Sequence, residues 1–149
     1  MKKIYVAIAI IVLVIMVWKL IPTEKRKLEK DILNIRKAFE NENAQQVVQY
    51  IDPAYQDLSG RTHEEITQVI AQFFTEVDSI RVQMSGLKLS IDSTDEDNVT
   101  FASCSLGIRV LARYEGEKVL AFGGVVRPGP VRAFFRKTAD RYRIYHAEY

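Results

Sequence analysis

THEEITQVIAQFFTEVDSIRVQMSGLKLSI, residues 62–91, contains the change of period on which the fold turns. Thr62 followed three residues later by Glu65 is a capping box, in which two side chains satisfy backbone N–H groups at a helix start. Ile66, Val69, Ile70, Phe73, Phe74 and Val77 then recur at helical spacing, the clearest amphipathic pattern in the chain. After Asp78 the period becomes two. Ile80, Val82 and Met84 share one parity, and Leu87, Leu89 and Ile91 share the other. The phase slips at Ser85-Gly86, which reads as a β-bulge that bends the strand.

Helical patterns extend toward the N-terminus from this point. Leu28, Ile32, Ile35 and Phe39 mark a helix over residues 24–41 with charged residues on its other face. Asn43 and Gln46 start a short helix carrying Val47, Val48 and Ile51, which Asp52-Pro53 is expected to stop. Residues 54–61 have turn character through Ser59-Gly60. Strands extend in the other direction. The polar loop 92–98 leads to a long strand ending at Tyr114, Glu115-Gly116 reverses it, and Val119 begins the return. Gly123-Gly124 permits a second bend, and Arg127-Pro128-Gly129-Pro130 breaks the ladder. A final hairpin closes around Ala139-Asp140. Three helices followed by antiparallel strands is an α+β order, and residues 23–149 make one domain.

Ahead of that domain lies MKKIYVAIAIIVLVIMVWKLIP, residues 1–22. As a helix, residues 4–21 would be about 27 Å long, close to a bilayer core. The apolar run opens at Ile4, and Trp18 and Lys19 suit its far interface, where indole and ammonium groups anchor. No small residues follow the run as a peptidase site requires, so the sequence favours a retained single-pass anchor over a cleaved signal. Lys2 and Lys3 favour a cytoplasmic N-terminus and an extracytoplasmic domain, although Lys25, Arg26 and Lys27 flank the other side. The single Cys104 excludes an intramolecular disulfide and fits either compartment.

Two stretches resemble the nuclear transport factor 2-like superfamily. VVQYIDPAYQDLSG, residues 47–60, is similar to its helix–loop before the third helix. FRK at 135–137 with DRYRIYH at 140–146 is similar to its closing hairpin. The resemblance implies three helices packed on a curved antiparallel sheet, a cystatin-like cone, here preceded by one transmembrane helix. It also implies a pocket between sheet and helices, used for small apolar ligands or, in steroid isomerases, scytalone dehydratases and polyketide cyclases, for an acid–base pair. Such proteins often pair through the open sheet face, which would make a weak homodimer through Phe134, Phe135 and Val126.

The pocket candidates are Tyr50, Tyr55, Arg109, Tyr142 and His146. Strict parity on the last strand puts Tyr142, Ile144, His146 and Glu148 on one face, so His146 and Glu148 could form an acid–base pair. The plain alternative is a half-buried, hydrogen-bonded histidine at a strand end. Asp52 is a second weak catalytic candidate, although Asp-Pro after a helix is ordinary stop chemistry. His63 at a helix start is expected to be solvated. Neither histidine has metal-ligand spacing, and the acidic loop at 92–98 has Asp97 and Ser103 where a calcium loop needs glycine and glutamate. No phosphate loop, nucleophile elbow or nucleotide fingerprint is present, so no cofactor is implied.

Residues 44–100 carry ten acids against three bases, whereas residues 127–149 carry six bases against two acids. This asymmetry fits a solvated face pairing with the acidic half, or a lipid or acidic partner; no aromatic-basic motif supports nucleic-acid binding. Two functional readings stand. One is a membrane-tethered, non-catalytic binding or assembly module for a partner protein or small apolar ligand. The other is an isomerase-, dehydratase- or cyclase-type enzyme acting through His146. In either case the anchor should be retained: N-terminal sequencing of the membrane-bound protein should begin at Met1, and a start near Thr23 would refute it.

Overall fold

The computed structural model of the protein describes residues 10–13 and 23–149. Thr23 caps the first helix, α1 (Glu24–Glu40), by accepting the Arg26 N–H. Asn43 likewise caps α2 (Ala44–Val48). After strand β1 (Ile51–Asp57), the reciprocal Thr62/Glu65 box opens α3 (His63–Glu76). Strands β2 (Asp78–Thr94), β3 (Thr100–Tyr114), β4 (Glu117–Phe122), β5 (Gly129–Thr138) and β6 (Arg141–Glu148) follow. The result is an α+β fold with a curved, largely antiparallel sheet.

The strand order is β1-β6-β5-β3-β2, and β4 pairs with β3 beyond the end of β5. Thus β3 meets β5 over its first half and β4 over its second. The register of β2 slips between Ser85 and Lys88, with Gly86 at φ 63, as the phase change at that point predicts. Gly123, at φ 84, makes the bend after β4. A Cβ there would lie 2.6 Å from the Ile108 carbonyl oxygen, so only glycine fits.

The core forms where α1 crosses the sheet. Leu28 and Ile32 meet Ala102, Cys104, Leu106, Ala133, Phe135 and Tyr142. Ala102, Cys104 and Ala133 are small, which lets the helix approach the strands closely. Farther along the helix, Phe39 joins Phe73 and Phe74 at centroid distances of 5.8 and 4.9 Å, coupling α1 to α3.

Two expectations need correction. The short helix ends at Val48, and residues expected to form a turn make β1, which runs parallel to β6. Its Pro53 is tolerated because β1 is an edge strand, where a missing N–H costs little. Asp52 therefore sits in a strand, fully buried, accepting the Ala54 N–H at 2.8 Å and paired with Arg136 of β5. Phe135, expected on an open face, is 1% exposed within the core. Among the described residues no helix is long and apolar enough to cross a membrane. Ile4, Trp18 and Lys19 of the expected anchor lie outside the described residues.

The Asp52–Arg136 pair ties β1 to β5 across the intervening β6. Replacing Arg136 by Met should leave a buried carboxylate without its cation and cost about 3 kcal/mol, whereas Asp52→Asn combined with Arg136→Met should recover much of that loss. Equilibrium denaturation of the single and double variants checks this; equal losses in both would show that charge compensation is not the reason.

Candidate functional site

A cavity of about 450 Å³ lies between the concave face of the sheet and the helices. Ile32, Ile35 and Phe39 of α1 form one wall, and Ile66, Val69, Ile70 and Phe73 of α3 form another. The floor is Val82, Met84, Leu106, Ile108 and Val110, with Phe122, Phe135 and Ile144 nearby. Its size and apolar character are those of small-molecule sites. No residue of α3 is buried, and Val69 is 46% exposed. That helix is the least firmly held wall.

Polar groups enter at Arg36, Arg61 and Tyr149. The Tyr149 phenol donates to Asp57 Oδ2 and accepts from Arg61 Nη1 at 3.2 Å, and the Arg61 guanidinium lies 5.9 Å from the Tyr149 ring centroid. Tyr55, buried behind them, is hydrogen-bonded to Tyr149. Burial alone would raise the Asp57 carboxyl. Hydrogen bonds from Tyr149 and from the Arg61 and Ser59 N–H groups bring it below the ordinary carboxylate range. Burial and the adjacent Asp57 raise the Tyr149 phenol. The pair is thus held as a charged acceptor, Asp57, beside a neutral donor, Tyr149.

Cys104 also lines the cavity, and burial pushes its thiol up to about 11. It is a small apolar contact rather than a nucleophile. Among the described residues the lining contains no histidine and no carboxylate, and no cluster could hold a metal ion.

None of the five pocket candidates from the sequence is part of this lining. Tyr142 is fully buried in the core, its hydroxyl donating to Glu24 at 2.7 Å. Tyr50 borders a separate polar cleft beside α1 and stacks with Arg141 at 5.3 Å. Tyr55 supports the rim from behind. Arg109 lies on the opposite face of β3 from Ile108 and Val110, and donates to the carbonyls of Gly124 and Val125 at 3.0 and 2.9 Å. It clamps the bend after β4.

His146 is displaced by a bulge. In β6, Ile144 pairs with Phe135 and His146 with the preceding Phe134, so Tyr145 is the extra residue. Beyond it the faces exchange: Ala147 points to the cavity, and His146 lies outside against Phe134 at 5.5 Å. The His146 Nδ1–H donates to the Gln56 carbonyl at 2.6 Å, and Nε2 is 3.9 Å from Glu148. Asp52, the other catalytic candidate, is neutralised by Arg136. Burial would raise its carboxyl, but Arg136 and the Ala54 N–H hold it below the ordinary range.

Sequence reading did not single out Arg36, Arg61 or Tyr149. Arg36 had a signal: it stands four residues after Ile32 and three before Phe39, on the apolar stripe. Arg61 and Tyr149 have no comparable mark, because the β1–β6 pairing that joins them was not foreseen.

The fold matches solved structures. A putative calcium/calmodulin dependent protein kinase II association domain from Xanthomonas campestris is 13% identical, with TM-score 0.65 over 85% of this chain and 86% of that one. A putative dehydratase from the nuclear transport factor 2-like family of Streptomyces avermitilis is 15% identical, with TM-score 0.59 over 83% and 94%. The fold is nuclear transport factor 2-like. The helical cell shape determining protein Pgp2 of Campylobacter jejuni is 12% identical, with TM-score 0.58 over 79% of this chain. The chain spans only 38% of that protein's length. No family model and no curated protein matches the sequence.

His146 should therefore behave as a structural residue. His146→Ala removes its tie to Gln56 and should cost about 1 kcal/mol, a few degrees in melting temperature. Ligand occupancy per folded molecule should stay unchanged. Loss of binding at full stability would place the histidine in the site.

Proposed function

We propose that this chain is a membrane-tethered, non-catalytic binding module that holds a small apolar ligand in the cavity beneath α3. One observation carries the reading: the hollow of about 450 Å³ has an apolar lining whose described residues include no histidine or carboxylate. Apolar surface facing water is unfavourable, and a ligand of matching character relieves it. The tether rests on the apolar run from Ile4 to Trp18, which Lys19 interrupts before Leu20 and Ile21, and on the lack of a cleavage site after it. Lys2 and Lys3 favour an extracytoplasmic domain. The putative dehydratases share the fold at an identity that speaks for fold alone, and folds of this breadth host many activities.

Native mass spectrometry of the full chain, moved from membranes into a detergent-free amphipol, tests the reading. A small apolar molecule should accompany the parent. It should be largely absent from Ala121→Trp, which fills the cavity from an exposed position on β4. Equal occupancy in both proteins, or none in the parent, overturns the proposal.

A further inference from the structure

The geometry points to an amphipathic anion as the occupant: an apolar chain lying in the cavity, with a carboxylate head received at its wall by Arg36 or Arg61. This rests on the binding reading above and adds the chemical class of the ligand. Arg36 and Arg61 both line the cavity, whereas Glu40 and Asp57, the acids nearest their guanidiniums, are not among its lining residues. Each pair thus contributes its cationic member, and not its acid, to the wall.

The acids are also engaged elsewhere. Asp57 accepts the Ser59 and Arg61 N–H groups at 2.8 and 2.9 Å and the Tyr149 hydroxyl, and its closest approach to the Arg61 guanidinium is 3.7 Å. Glu40 accepts the Val82 N–H at 2.9 Å with the same oxygen that Arg36 reaches only at 3.4 and 3.5 Å. A guanidinium has five N–H donors in a fork suited to a carboxylate. Arg61 gives one short bond, to Tyr149, and Arg36 gives two long ones to a single oxygen. Both side chains are 40% exposed, so an incoming head group meets them without unfolding the wall.

An uncharged amphiphile would gain the same apolar contacts and leave these donors to water. Decanoate and decan-1-ol make the comparison, because they differ only in the head group. The full chain is placed in lipid nanodiscs, and hydrogen exchange of the α3 amides is followed at matched free concentrations of each. Local protection of α3 reports occupancy of the cavity and is blind to partition into the bilayer.

Decanoate should slow exchange at a concentration about tenfold lower than decan-1-ol, the ratio one charge-assisted hydrogen bond supports. The double variant Arg36→Gln/Arg61→Gln should abolish that preference while keeping the response to decan-1-ol. Equal concentrations for the two probes in the parent, or a preference that survives in the double variant, overturn the anionic head group and leave the apolar cavity reading standing. No protection by either probe removes both.

Discussion

Tyr142 is tied to α1 at two points, and the placement of that helix depends on it. Its backbone N–H donates to Asp31 at 2.9 Å and its hydroxyl to Glu24 at 2.7 Å. Those acids are seven residues apart, two helical turns, so they lie on one face with Leu28 between them. Leu28 and Tyr142 are both fully buried. The helix can neither roll nor slide without breaking a buried hydrogen bond. Glu24 gathers Lys27 and Lys137 as well as Tyr142; burial opposes its charge, but those bonds bring its carboxyl down to about 2. Once the first half of α1 is fixed in this way, its later turns must overhang the sheet, carrying Ile35, Arg36 and Phe39 above the cavity.

The cavity exists because packing is uneven along that helix. Near Leu28 the sheet presents Ala102, Cys104 and Ala133, and helix and strands close together. Toward Phe39 the strands carry the larger Ile108, Val110 and Phe122, and the sheet bends at the bulge at Gly86 and the turn at Gly123. The space is roofed by α3, which contributes apolar side chains without burying any residue fully. Phe39, Phe73 and Phe74 hold one end of this roof through aromatic contacts, and Asp57 and Arg61 border the other. A helix attached at its ends and loosely packed between them can yield to a ligand at low cost.

The fold was legible because its signals are local. The capping box, the change of period at Asp78, the slip at Gly86 and the turns at Glu115 and Ala139 each follow from residues a few positions apart, and the structure places elements accordingly. What stayed hidden depends on distant pairing. Residues 51–57 do not alternate cleanly and contain proline, so nothing local marks β1; its strand state comes from pairing with β6, about ninety positions away. The bulge at Tyr145 carries no glycine, and it reverses the parity from which His146 was placed. One unmarked residue decided whether the second histidine faced the cavity or its outer side.

Charge draws the line between structure and recognition more clearly than residue type does. The acidic stretch 44–100 meets the basic stretch 127–149 in the folded molecule through Asp52 with Arg136, and Glu24 of α1 adds a second tie to that stretch through Lys137. Asp52 is fully buried and Arg136 is its counter-charge, so that arginine cannot leave without exposing a naked carboxylate to the core. Arg109 is similarly committed, to backbone carbonyls that define a loop. Arg36 and Arg61 differ in that their acids are held by other donors and their own bonds are few: one of 3.2 Å from Arg61 to Tyr149, and two of 3.4 and 3.5 Å from Arg36 to a single Glu40 oxygen. A cation whose partner is already satisfied retains donors for a second anion, and both such cations line the apolar cavity beneath α3. Which arginines keep capacity after the fold has formed depends also on contacts between distant segments, such as Glu40 with the Val82 N–H and Arg61 with Tyr149, and these carry no mark in the sequence.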